Sequence, residues 1–275
     1  MPPQTPHTFD AGRLFVMALI SRCSLGVKGA LAALVLGACA QNPVTGRDQL
    51  ILISPQQGVQ MGAQAYQQAK QEKRVLPASD PYTQRVRAIT ERLIRANDLP
   101  KYQWEVNAFD DKTANAFALP GGKVGINTGL ATVARTDAQI AAVVGHEIAH
   151  AVSRHGEERI SQQLLVQTGV QLTGAALGVG QQGASLLEQA ATLGVILPYS
   201  RTHESEADEM GLYYMARAGY DPREAVKLWE NMAAQGSAGV PEFLSTHPSE
   251  GNRIQKLQSV MPKALDLYNK SSYKS

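Results

Sequence analysis

The sequence predicts an α+β fold that is predominantly helical. Three observations lead there. Helix-period apolar spacing runs through both halves of the chain, strand-like alternation is confined to one stretch between Trp104 and Asn127, and no repeat or rich linker divides the whole. With 275 residues, 44% hydrophobic and 18% charged, the chain can bury a sizeable core. A net charge of +2 gives no basic excess, so no nucleic-acid partner is expected. Its two cysteines, Cys23 and Cys39, exclude a disulfide scaffold and an all-cysteine metal site.

Taken in order, the first segment reads as an address. Arg13, Arg22 and Lys28 stand against Asp10, then Gly29–Ala38 is uncharged and too short to span a bilayer. Leu36-Gly37-Ala38-Cys39 resembles the bacterial lipobox, which implies cleavage after Ala38 and lipid on Cys39. Residues 1–38 are thus expected to be a lipoprotein signal and 39–54 a lipidated tether, with a membrane partner through Cys39. Ala40 after the cysteine favours the periplasmic face of the outer membrane. Initiation at Met17 would give a signal of ordinary length. The +2 belongs to this segment, and the remainder is neutral.

Pro55–Lys73 is polar, Gln-rich and helical in pattern. Asp80-Pro81 supplies a cap and a first-turn proline, and Val86, Ile89, Leu93 and Ile94 continue a helix to Asn97. Trp104–Phe109, Ala116–Leu119 and Lys123–Asn127 alternate as strands, with Pro120-Gly121-Gly122 as a turn. From Asp137 to about Met261 the text is nearly all helix, with a start at Asp221-Pro222 and a cap at Ser249. A domain over 55–262 and a tail over 263–275 follow. Gly169–Gly183 holds five glycines, and Gln171, Gln181, Gln182 and Glu188 leave it too polar for a membrane span; a connector and a lid over a cleft both fit it.

Chemistry concentrates in Asp137–Arg154, DAQIAAVVGHEIAHAVSR. His146 and His150 are four apart, so both imidazoles leave one helix face and suit one Zn²⁺, with Glu147 beside them as a base for a metal-bound water. A third ligand is needed. In Tyr199–Leu212, Glu204 and Asp208 share a face, Glu204 as ligand and Asp208 gripping an imidazole N–H; a solvated acidic face is the other reading of the same spacing. His155 falls on the wrong side of the helix, and His203 adjoins Glu204, so neither is assigned to the metal. Arg201 and Arg253 suit either site carboxylates or surface pairs.

HEIAH, SRTHESEAD and STHPSEGNR, in that order between Asn115 and Arg253, resemble the CaaX-protease-type family of zinc metallopeptidases, in its bacterial envelope lipoprotein branch. They are also similar to the catalytic domain of a mitochondrial inner-membrane stress protease. The resemblance implies a zincin-like domain with a small β-sheet or hairpin beside the HExxH helix. It assigns one zinc ion to His146, His150 and Glu204, the base to Glu147 and support to Asp208. It implies that His247, in a His-Pro pair, latches the metal's open position or contacts substrate, and that Asn115, Ala116 and Phe117 form an edge strand that pairs with extended polypeptide. The expected function is a zinc metalloendopeptidase that degrades misfolded or unassembled envelope proteins. An outer-membrane assembly scaffold with latent activity, working with the assembly machinery, is the alternative.

Overall fold

The computed structural model describes residues 39–42, 45–176, 199–235, 242–248 and 251–274. The chain divides into two compact units, Met1–Ala40 and Gln41–Ser275. The expected signal at 1–38 and the Ser249 cap lie outside the described residues, as does Gly169–Gly183 beyond Ala176. Of the first unit only Cys39 and Ala40 are described, both in a short strand β1 (Cys39–Gln41).

In the second unit, β2 (Asp48–Leu50) precedes α1 (Pro55–Glu72). Gln49, Ile51 and Ile53 are buried, and the Leu52 N–H donates to Ser161 Oγ at 2.9 Å. Among its described residues, the segment expected to be a tether is therefore packed at Asn42, Gln49, Ile51 and Ile53. Ser54 and Gln57 form a reciprocal cap on α1. Asp80 accepts from the Tyr82 and Thr83 N–H groups to start α2 (Pro81–Ala96), which buries Val86, Ile89 and Leu93.

Three strands follow, β3 (Glu105–Phe109), β4 (Ala116–Leu119) and β5 (Lys123–Asn127), in the spatial order β3-β5-β4. The expected hairpin is β4–β5, turned by Gly121 and Gly122 at φ near +80°, where a side chain would be strained. β3 pairs with β5 in parallel, so β4 is an outer strand.

Behind the sheet runs α3 (Asp137–Val152), capped by Thr136 and buried at every residue from Gln139 to Val152. The continuous helix expected from Asp137 stops there. Arg154 takes a left-handed φ of 56°, and a new helix, α4 (His155–Ala176), sets off in another direction. Then come α5 (Arg201–Arg217), α6 (Arg223–Gln235), α7 (Glu242–Thr246) and α8 (Arg253–Lys270). α8 accommodates Pro262 and buries Ala264, so the boundary expected at 262 falls inside a helix and 263–270 is not a tail.

α3 and α5 cross at two glycines. A Cβ on Gly211 would lie 2.6 Å from the His146 backbone N, and one on Gly145 would lie 2.9 Å from the Gly211 carbonyl oxygen. Backbone contact there brings the two motif helices together. Among the described residues no helix is long and apolar enough to cross a membrane.

Candidate metal centre

The α3–α5 crossing places His146 and His150 of one helix opposite Glu204 of the other. The two Nε2 atoms lie 3.0 Å apart. Glu204 Oε1 is 3.3 Å from His150 Nε2, and its Oε2 is 3.6 Å from His146 Nε2. His247 joins them: ligand atoms of all four buried residues lie within 4.8 Å of one another.

Each imidazole is held from behind. His146 Nδ1 is 2.9 Å from Asp208 Oδ1, and Arg253 Nε donates to Asp208 Oδ2 at 2.6 Å. Arg253 also donates to Glu204 and lies 3.9 Å over the Trp229 ring. Although burial works to raise it, Arg253 and His146 hold Asp208 below the usual carboxylate range. Asp208 Oδ1 stands where an ionised carboxylate accepts from a His146 Nδ1–H, the tautomer whose Nε2 lone pair faces the centre. Tyr199 stacks on His150 at 3.9 Å, and burial together with its histidine neighbours holds His150 well below its ordinary value, hence neutral.

These contacts test whether a metal fits. Two imidazole nitrogens 3.0 Å apart beside a carboxylate oxygen repel unless a cation or proton lies among them. Glu204 Oε1 and His247 Nε2 are moreover buried without a hydrogen-bond partner. Two or three nitrogens and one carboxylate, enclosed but reachable from a cleft, are the donor set that zinc takes in hydrolases.

Glu147 points to the cleft side. Its Oε2 accepts the Ala118 N–H at 3.0 Å, and its Oε1 is 3.3 Å from His247 Nε2. Burial pushes Glu147 up to about 8 and Glu204 up to about 7. His247 stacks on Phe243 at 4.3 Å and directs Nδ1 at the Phe243 carbonyl, 3.2 Å away, so Nε2 faces the centre. The cleft is lined by Ala65, Phe117, Ala118, Tyr199 and His247 above Glu147. Along β4, the N–H groups of Ala116 and Ala118 turn away from β5, one toward Asn115 Oδ1 and the other toward Glu147. Phe117 faces the opposite way and packs with Tyr66 and Phe109.

The structure therefore brings together His146, Glu147, His150, Glu204, Asp208, His247 and the 115–118 strand. Three blocks separated by some fifty residues each meet at one point. The family model of peptidase family M48 matches residues 81–261. The chain belongs to peptidase family M48. Mitochondrial metalloendopeptidase OMA1 of Schizosaccharomyces pombe is 37% identical over 226 residues, 81% of this chain and 66% of that protein. The Saccharomyces cerevisiae protein of the same name is 32% identical over 273 residues, 88% of this chain and 77% of that one. The beta-barrel assembly-enhancing protease of Yersinia pestis is 27% identical over 182 residues, 62% of this chain and 37% of that one. The OMA1 relatives are named as mitochondrial, which overturns the expected placement on the periplasmic face of an outer membrane. M48 peptidases use zinc, and the donor set described above fits it.

His155 and His203, neither of them assigned to the metal, lie beside the donor set. His155 Nδ1 lies 2.9 Å from His150 Nδ1, and His203 stacks on His155 at 4.4 Å. Residues 137–155 do not form the single helix that the sequence predicts. The break at Arg154 turns His155 back toward the site. Arg253, left open between site and surface, proves to be a buried partner of Asp208 and Glu204. Arg47 was missed altogether.

Proposed function

We propose that the chain is a zinc-dependent endopeptidase that cuts extended segments of unfolded or unassembled polypeptides. One observation carries this reading: Glu147 stands between the convergent His146, His150 and Glu204 and the outer strand that would hold a substrate backbone. When bound, zinc lowers the pKa of a coordinated water and polarises the scissile carbonyl. His146, His150 and Glu204 would hold the ion, and Asp208 would orient His146. Glu147 Oε1 takes the water's proton and returns it to the leaving amine, while the Ala118 N–H fixes Oε2 and hence the direction of Oε1. With their N–H groups taken by Asn115 and Glu147, Ala116 and Ala118 would offer carbonyl groups to an extended chain, a contact that reads main chain rather than side chains and so suits many sequences.

Replacing Glu147 by Gln tests this. Turnover of an unfolded substrate such as casein is expected to fall by about 10²- to 10⁴-fold, with one zinc per chain retained. Proteolysis by the zinc-loaded variant at the wild-type rate would refute the assignment.

His247 supports a latent form of the same enzyme. Its Nε2 sits with the three ligands and beside the base, where it would exclude water or a carbonyl. Substituting His247→Ala is expected to raise turnover, and an unchanged or lower rate would remove the latch. A closed site also suits the reading as an assembly scaffold, in keeping with the name of the Yersinia pestis relative. Function retained by Glu147→Gln in cells would favour the scaffold, and function lost would favour the peptidase.

A further inference from the structure

Outside the donor set lies a second buried cluster with no part in the reaction as described. Glu206, two residues past Glu204, turns to the other side of α5 and faces His155 Nε2 at 3.0 Å. It accepts from Arg47 Nε at 3.0 Å, from Arg47 Nη2 at 3.1 Å and from Thr45 Oγ1 at 2.7 Å. Arg47 also forks onto Glu158 at 2.9 and 2.7 Å, and Glu158 faces His203 Nε2 at 3.0 Å. Gln49 closes the group by donating to the Ser153 carbonyl at 2.8 Å and to Glu158 at 2.7 Å.

The proton count along this chain of contacts has one solution that leaves the metal ligand usable. Glu206, bonded twice by a guanidinium, is ionised and only accepts, so the His155 Nε2 carries its proton. A neutral His155 then has an accepting Nδ1. The proton in the 2.9 Å contact with His150 therefore belongs to His150 Nδ1, and the lone pair of His150 is on Nε2, the atom aimed at the donor set. The opposite arrangement would put a proton on His150 Nε2 and block it as a ligand.

We propose that His155 is a positioning residue for the metal centre, held by Glu206 and by Arg47 of the segment before α1, and that this relay fixes His150 in its ligating tautomer. The segment 45–53 is then a working part of the site, delivered from outside the region that carries the motifs. The inference rests on the zinc reading above.

The test is zinc affinity of the full chain, measured by competition with a chromogenic chelator, beside thermal melting to certify folding. His155→Ala is expected to weaken zinc binding about 10- to 100-fold, the range typical of groups that orient a ligand imidazole. Arg47→Ala is expected to weaken it less, and adding it to His155→Ala should give no further loss, since both act through one route. Should His155→Ala fail to fold, Glu206→Gln and Arg47→Ala carry the same expectation of weakened binding. Histidine ¹⁵N NMR of the zinc form supplies a readout that bulk stability does not move: His150 protonated on Nδ1 in wild type, with that signal altered in Glu206→Gln. Wild-type zinc affinity in folded variants, or a His150 tautomer indifferent to Glu206, overturns the proposal. Failure of the wild-type chain to bind zinc would instead overturn the zinc reading itself.

Discussion

The two histidines of HEIAH point into the same donor set and are supported by different architecture. His146 meets a carboxylate directly, Asp208 at 2.9 Å, and that carboxylate is tied to Arg253 from the start of α8. His150 meets a second imidazole, and the carboxylate comes one step later, Glu206 tied to Arg47. Both arms end in an arginine that neutralises an acid on α5. They differ in enclosure: the Arg253 side chain is 5% exposed and that of Arg47 is 28% exposed. The difference teaches that a short, dry arm gains strength from its partners and becomes intolerant of their loss, whereas a longer arm at the surface is weaker and more forgiving.

Removing the arginines one at a time exposes the contrast. Arg253→Ala leaves Asp208 and Glu204 buried without their cation and is expected to cost about 3–5 kcal/mol in denaturant unfolding, the range for breaking a buried pair. A cost near that of Arg47→Ala would erase the distinction. Chelation of zinc comes next: at about 100-fold over its dissociation constant, bound metal contributes about 2.7 kcal/mol, so a chelator should lower the melting temperature of the wild-type chain. The drop should be smaller in His155→Ala, whose affinity is already reduced. Gly211→Ala should destabilise by about 1–3 kcal/mol through overpacking, because its Cβ would strike the His146 backbone. It should disturb the His146 arm more than the His150 arm, which histidine NMR would resolve.

Arg47→Ala, partly screened by solvent, is expected to cost about 1 kcal/mol. A pair outside both arms sets the floor. Lys73 bonds Asp111 at 2.6 Å with both side chains partly exposed, and Lys73 with Thr113 holds Asp111 below its usual value despite desolvation. A depressed carboxyl contributes above its unfolded pKa of 3.8 and loses that contribution as pH falls through the folded value. Asp111→Asn should therefore cost about 0.5 kcal/mol or less at pH 7, and the gap to wild type should close in acid below the carboxylate range. A gap that widened there would reverse the sign.

The difference between the arms also separates what the sequence revealed from what it hid. The His146 arm was legible as far as Asp208 because two local spacings flag it, four residues from His146 to His150 and four from Glu204 to Asp208, each about one helical turn; its Arg253 end, 45 residues on, was not. The β4–β5 hairpin was legible for the same reason, through alternation and two glycines. Spacing says nothing once a contact joins distant elements. Arg47 reaches Glu158 and Glu206 across more than a hundred residues from a segment whose polar text resembles a tether. The helix from Asp137 gave no clear sign of ending at Val152, since the left-handed turn falls on Arg154 and the nearby Gly156 lies inside the next helix, and His155 was consequently placed on the wrong face. β3 read as a strand, but its parallel partner depended on a crossover that no local pattern encodes.

The glycine crossing of α3 and α5 makes the two helices a pair of calipers. With no side chain between Gly145 and Gly211, the gap between the jaws is set by main-chain atoms, which cannot change rotamer or be trimmed by a methyl group. The span between the imidazoles and Glu204 is therefore insulated from the surrounding core. Substitutions at Met210, Met215 or Ile148 can loosen the body of the tool, yet the jaws keep their gauge as long as the two glycines still touch.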